Sequence, residues 1–173
     1  VKISTFEHLM ATFSGLGIDN ALVNIDAQEV PILDGSAKPY VDAICADGVV
    51  EQDAQRNYVE LKEKIVYRDE KTGSEIIIMP DDHFSVDLMI DYNSKVLGNQ
   101  YARLDENTDF AKDIAPCRTF VFFHELQFLF ANNLVKGGDV DNAIVIVEHP
   151  VTEEQVNRMS QLFNVPALTV RED

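Results

Sequence analysis

In Phe84-Ser85-Val86-Asp87-Leu88-Met89-Ile90-Asp91-Tyr92, apolar side chains recur at every second position. Successive side chains of a strand alternate between its faces, so Phe84, Val86, Leu88, Ile90 and Tyr92 share one side and Ser85, Asp87 and Asp91 the other. One apolar and one polar face is the pattern of an antiparallel sheet with one side in water. Just upstream, residues 58–67 and 75–79 also read as strands, joined by the turn-rich loop RDEKTGS at 68–74. Downstream, a helix is predicted over 108–115, stopped by Pro116, then a strand over 119–123, a helix over 124–133, a Gly137-Gly138 turn and a strand over 142–147. A last helix opens at Thr152, with Gln155 three residues on as its capping partner and Val156, Met159 and Phe163 along one face.

Toward the N-terminus, Ser4 and Glu7 have the spacing of a capping box, and Phe6, Leu9, Met10 and Phe13 form an apolar stripe with helical period. The spacing predicts a helix that ends at Gly15-Leu16-Gly17, a strand over 18–25, the turn-rich loop EVPILDGS at 29–36, and a short helix over 37–46 stopped by Asp47-Gly48. Residues 49–57 are polar and aperiodic, which makes them the expected domain boundary. Residues 15–23 (GLGIDNALV) and 137–145 (GGDVDNAIV) echo each other, which either chance or a duplicated turn-into-strand unit explains.

Composition narrows the function. The 173 residues include 30 acidic and 14 basic side chains, a formal charge of −16, and 46% are hydrophobic. Such a chain can bury a core, and its acidity argues against nucleic acid as a partner. The longest uncharged apolar runs fall far short of the ~20 residues of a membrane span. No signal peptide is visible, and Cys45 and Cys117 do not make a disulfide framework, so a reducing cytoplasm is expected. A start at Val1 and an end at Arg171-Glu172-Asp173 are read as those of an excerpt.

Four histidines are present, His8, His83, His124 and His149, with no H-E-x-x-H and no C-x-x-C. His83 and Asp87 lie four apart, but on a strand that spacing spans roughly 13 Å, too far to share an ion. Glu153, four after His149, reads as a capping carboxylate. His8 sits about 150° or more around its helix from the apolar stripe, at about 100° per residue. Either it is an ordinary surface histidine, or it is a ligand or acid/base group held beside Glu7 on a rigid helix. Nucleophile elbows and phosphate loops are absent. Phe120, Phe122, Phe123, Phe128 and Phe130 crowd eleven positions, as core or as a greasy passage for an acyl chain.

Residues 3–20 (ISTFEHLMATFSGLGIDN) with 30–37 (VPILDGSA) closely resemble the zinc-dependent UDP-3-O-acyl-N-acetylglucosamine deacetylases of lipid A biosynthesis. Residues 90–93 (IDYN), 115–122 (APCRTFVF) and 137–145 (GGDVDNAIV) follow in that family's order and spacing, so the resemblance covers nearly the whole chain. It implies a two-domain α+β sandwich with helices packed between two sheets, incomplete at both ends. Residues 1–52 would close the first domain, and 53–173 would open the second, with a β-α-β insertion near 119–147. The active site would lie between the domains.

The resemblance further implies that His8 binds Zn2+, that Glu7 is the general base, and that the Thr119 hydroxyl of Arg118-Thr119-Phe120 donates to the tetrahedral oxyanion. Phe120, Phe123, Leu126, Leu129 and Val145 would line the acyl passage, and Tyr92 would stack near the uracil where relatives have Phe. The substrate implied is UDP-3-O-(3-hydroxyacyl)-N-acetylglucosamine, deacetylated by a bacterial, cytoplasmic enzyme expected as a monomer. Its lipid part leaves peripheral membrane contact open. The family's other two zinc ligands, a lysine and a second histidine lie beyond the point matching Asp173, so the chain by itself is expected to be inactive. Some relatives are fused to a hydroxyacyl-carrier-protein dehydratase, and a non-catalytic UDP-sugar-binding remnant is the other alternative.

Overall fold

Pro80 sets the extent of the first hairpin. In the computed structural model, which describes residues 2–135 and 137–171, strands β1 (Ile65–Arg68) and β2 (Glu75–Ile78) pair antiparallel with Ile65 opposite Ile78. Proline has no N–H to give a ladder, so β2 ends shortly before it and residues 58–64 find no strand to pair with among the described residues. The strand expected over 58–67 therefore shrinks to its last four residues.

The alternating stretch forms β3 (Val86–Asp91), paired antiparallel with β4 (Asn99–Leu104). β4 was not anticipated, because Asn99-Gln100-Tyr101-Ala102-Arg103-Leu104 lacks apolar alternation. The turn between them builds it. The Ser94 hydroxyl accepts from the amides of Val96 and Leu97, and Gly98, at φ +56°, donates to the Ser94 carbonyl. Opposite pairs then add to the ladder, Arg103 meeting Asp87 at 3.2 Å. The one-sided burial expected of β3 is weak: Val86 and Leu88 are better covered than Met89, yet all three are exposed. The sheet has only two strands, and no described element covers either face of it fully.

Helix α1 (Glu7–Gly15) departs from expectation at its start. Phe6 is the N-cap and makes no side-chain bond, so the Ser4–Glu7 capping box does not form. Ser4 is held instead in a parallel bridge to Glu29, its amide donating to the Gln28 carbonyl and its carbonyl accepting from Val30. Thr5 follows in the left-handed region, φ +58°, and the Ser4 hydroxyl donates to the Gln28 carbonyl at 3.4 Å instead of capping the helix. The apolar stripe is half exposed too. The buried residue is Thr12, and His8 one turn earlier is half-buried, whereas Phe6 and Met10 are exposed. The helix packs through its small side, where the Phe110 ring lies 2.2 Å from the position a Cβ on Gly15 would take. Residues 18–25 form no strand, for no described segment pairs with them and Leu22 is 89% exposed. The echo between 15–23 and 137–145 thus has no common structure.

Helix α2 (Lys38–Asp47) begins with proline in its first turn and ends at Gly48, as expected. Its Ala37 and Val41 pack with Ala115, Leu16, Phe110 and Ala111 into the main apolar cluster. Phe110 and Ala111 belong to a π-helical turn, Phe110–Ile114, where an α-helix was expected. Asp109 begins it by accepting from the Lys112 amide, and the Ala115 amide closes it on the Phe110 carbonyl, five residues back.

A β-α-β unit follows. Strand β5 (Phe120–Phe122) and strand β6 (Ile144–Ile146) run parallel, Val121 opposite Val145, with helix α3 (Phe123–Ala131) as the crossover. Helix α4 (Glu153–Leu162) opens with the expected Thr152–Gln155 capping box. Its Met159 is almost fully buried, and Phe163 just beyond meets Phe130 of α3 edge to face at 5.0 Å. Three two-stranded sheets and four α-helices make an α+β fold with no closed barrel among the described residues.

Candidate functional site

Three loops interlock at one end of the β-α-β unit. The first is Asp34-Gly35-Ser36, where the Asp34 carboxylate accepts from the Ser36 amide at 3.0 Å and the Ser36 hydroxyl at 2.8 Å. Desolvation pushes the Asp34 carboxyl up, but these two donors and the nearby Arg118 charge outweigh it and hold the group below the usual carboxylate range. The second is the run into β5. The Thr119 amide donates to the Gly35 carbonyl at 2.8 Å, and the Thr119 carbonyl accepts from Ile144 at 3.0 Å. The third is the turn 137–142, closed by the buried Asn142, whose side chain donates to the Gly137 carbonyl and accepts from the Asp139 amide, both at 2.7 Å. Arg118 bridges the outer two, its Nε donating to the Asp34 carbonyl at 2.9 Å and its Nη2 to the Asp141 carbonyl.

Beside this junction lies a cavity of about 700 Å³. Thr119, Phe120, Leu126, Leu129 and Val145, all singled out from sequence, line it together. Val30, Ile32, Asn142 and Phe163 line it as well and were not singled out. Phe163 could have been reached from the apolar face of α4, and Asn142 from its place in the GGDVDN turn. Val30 and Ile32 lie in a loop without period, where no pattern marks an inward residue.

The structure separates the remaining candidates from this cavity by differing amounts. Tyr92 stands one ring away, its centroid 5.4 Å from that of Phe120 in an edge contact. Phe123 does not line the cavity. It lines a smaller one of about 250 Å³ with His124, Gln127, Glu148 and His149. At about 100° per residue, Gln127 lies about 40° from Phe123 around α3, whereas Leu129 lies about 120° away on the side of the larger cavity, with Leu126 between them. Glu7, the first residue of α1, is exposed, and His8 is half-buried with its carbonyl accepting from the Thr12 hydroxyl at 2.9 Å. Neither lines the cavity, though Thr5, two residues before Glu7, does.

A zinc site draws on three or four converging donors. Among the described residues no group of three or more His, Cys, Asp or Glu could share an ion, so those residues by themselves do not compose such a site. Both cysteines are free and exposed, and no helix is long and apolar enough to cross a membrane.

Comparison with known proteins covers nearly the whole chain. A family model, LpxC: UDP-3-O-acyl N-acetylglycosamine deacetylase, matches residues 1–163. The chain is 46% identical over 172 residues to the bifunctional enzyme LpxC/FabZ of Porphyromonas gingivalis, covering 99% of this chain and 37% of that protein. It is 45% identical over 166 residues to the enzyme of the same name from Bacteroides thetaiotaomicron, covering 96% and 36%. To the UDP-3-O-acyl-N-acetylglucosamine deacetylase of Teredinibacter turnerae it is 40% identical over 166 residues, covering 94% and 54%. The chain belongs to this deacetylase family and spans between about a third and about half the length of the curated relatives it matches.

Proposed function

We propose that this chain is part of a zinc-dependent amidohydrolase that removes acetate from UDP-3-O-(3-hydroxyacyl)-N-acetylglucosamine in lipid A biosynthesis, acting in the cytoplasm as a monomer. The observation that carries this is the meeting of residues 34–36, 118–120 and 137–142 beside an apolar cavity that Thr119 also lines.

The chemistry follows from the groups present. A hydroxyacyl tail needs an apolar channel, and Leu126, Leu129, Val145 and Phe120 offer one; each buried methylene is worth about 0.8 kcal/mol. The Thr119 hydroxyl, on a residue that lines the same cavity, is the proposed donor to the oxygen that gains charge as the amide carbonyl becomes tetrahedral. One such donor is worth roughly 3 kcal/mol. Tyr92 offers a ring next to Phe120 for a pyrimidine. Glu7, exposed at the start of α1, is the proposed proton acceptor. Zinc enters this proposal through His8 alone, with its other donors outside the described residues.

The test is acetate release from that substrate by the native full-length polypeptide. T119A should lower kcat by about 10²–10³ with a small change in KM. A folded, zinc-loaded protein that releases no acetate would overturn the proposal, and uridine-nucleotide binding without zinc would then support the binding remnant.

A second reading has its own support, because the two relatives at 45–46% identity are both bifunctional. The chain covers 37% of one kind of relative and 54% of the other. A native polypeptide nearly three times the chain's length, rather than about twice, would place this segment in a bifunctional LpxC/FabZ chain.

A further inference from the structure

We propose that Arg118 is a positioning residue for Thr119, its guanidinium clamping together the two loops from which the Thr119 backbone is held. The proposal rests on the oxyanion role given to Thr119 above.

Thr119 is fixed through its main chain on two sides. Its amide is held by Gly35, in the 34–36 loop, and its carbonyl by Ile144, which follows the 137–142 turn. The hydroxyl can keep one position only if those two loops keep one distance. Beside the close approach of the Asn142 carbonyl to Gly35, Arg118 bridges that distance by hydrogen bonds, with Nε on the Asp34 carbonyl at 2.9 Å and Nη2 on the Asp141 carbonyl. Arg118 does not line the cavity that Thr119 lines, so it acts on the site through backbone and not by touching a ligand there. Both of its acceptors are main-chain oxygens of different loops, which calls for donors splayed in a rigid plane. A guanidinium has them, and an ammonium on a flexible stem does not. The Asp34 carboxylate, turned inward to Ser36 and lowered partly by the Arg118 charge, adds an electrostatic hold at the same end.

The experiment uses the native full-length protein and the variants R118K, R118A, T119A and R118A/T119A. Misplacing a catalytic group by about 1 Å can cost about 100-fold, so kcat should fall about 10- to 100-fold in both Arg118 variants, with KM within about threefold. Lysine should not rescue. In the T119A background, R118A should lower kcat no further, since its effect passes through the missing hydroxyl. An equal loss in that background, a rise in KM with kcat intact, or full activity of R118K would overturn the proposal. Hydrogen exchange separates this from the function itself, as it needs no substrate. R118A should speed exchange of the Thr119 and Ile144 amides by about tenfold while the α4 amides stay unchanged. Unchanged exchange at Thr119 and Ile144 would overturn the clamp whatever the substrate proves to be. Full kcat in T119A would instead overturn the role given to Thr119, leaving the exchange result to decide the clamp.

Discussion

The Asn142 carbonyl oxygen lies 1.9 Å from where a Cβ on Gly35 would sit, so the 137–142 turn rests directly on the bare backbone of the 34–36 loop. Gly35 also has φ +83°, a region that L side chains rarely adopt. G35A therefore meets both strain and a backbone clash that no rotamer change relieves. Strained backbone alone costs on the order of 1–3 kcal/mol, and the clash adds to it. The unfolding free energy of G35A from urea titration should fall by at least that amount, and an unchanged value would show that the two loops do not touch.

Two serine/threonine positions with the same capping signature should respond differently. Thr152 caps α4, its hydroxyl accepting from the Gln155 amide while the Gln155 side chain accepts from Thr152. T152A should cost about 1 kcal/mol. Ser4 caps nothing, and its hydroxyl makes only a long, exposed bond to the Gln28 carbonyl at 3.4 Å. S4A should stay within about 0.5 kcal/mol of the parent. Thermal unfolding of the pair decides it, and equal losses would restore the capping box at Ser4.

Where local chemistry and long-range contact agree, the elements are legible from sequence. Thr152 and Gln155 cap a helix with a strong apolar face, and Gly48 stops α2. Where they compete, contact decides. Ser4 gives up its cap for a bridge to the 28–30 segment, and residues 18–25, strand-like in composition, find no strand to pair with among the described residues. β4 shows the converse, a polar segment made into a strand by its turn and by Asp87–Arg103 pairing. The cavity divides along the same line. The α3 and β6 members, Leu126, Leu129 and Val145, are reached through the family resemblance of the β-α-β segment, while Val30 and Ile32 come from an aperiodic loop. The Asp34–Ser36 bond is local, but the Arg118 bonds reach Asp34, 84 residues away, and Asp141, 23 residues away, and only the folded chain brings those together.

The Asp34 carboxyl also makes a pH prediction whose sign is set by its direction of shift. Its folded value lies below the ordinary 3.8, because the Ser36 donors and Arg118 outweigh desolvation. A depressed folded value gives stability that is fully present above the unfolded value and lost as pH falls through the folded one. Acid titration of the unfolding midpoint should therefore show a loss beginning near pH 4 and growing below it. D34N should be less stable than the parent at neutral pH and lose less than the parent between pH 4 and pH 2. A D34N curve parallel to the parent's over that interval would rule the contribution out.

Leu129 gives the sharpest check on what the cavity holds. It lines the apolar wall from α3 and is only half-buried, so a larger side chain there can enter the open space without disturbing the packing around the almost fully buried Leu126. L129F should take up room meant for the tail. Each methylene thereby kept in water costs about 0.8 kcal/mol, or roughly fourfold in affinity. Substrates with long hydroxyacyl chains should lose kcat/KM in proportion to the methylenes displaced, while a short-chain analogue, which never reaches Leu129, keeps its value. Steady-state kinetics of the native full-length protein on the two substrates gives the answer. Equal losses for both chain lengths would mean that the acyl group lies elsewhere, and the cavity would then need a different occupant.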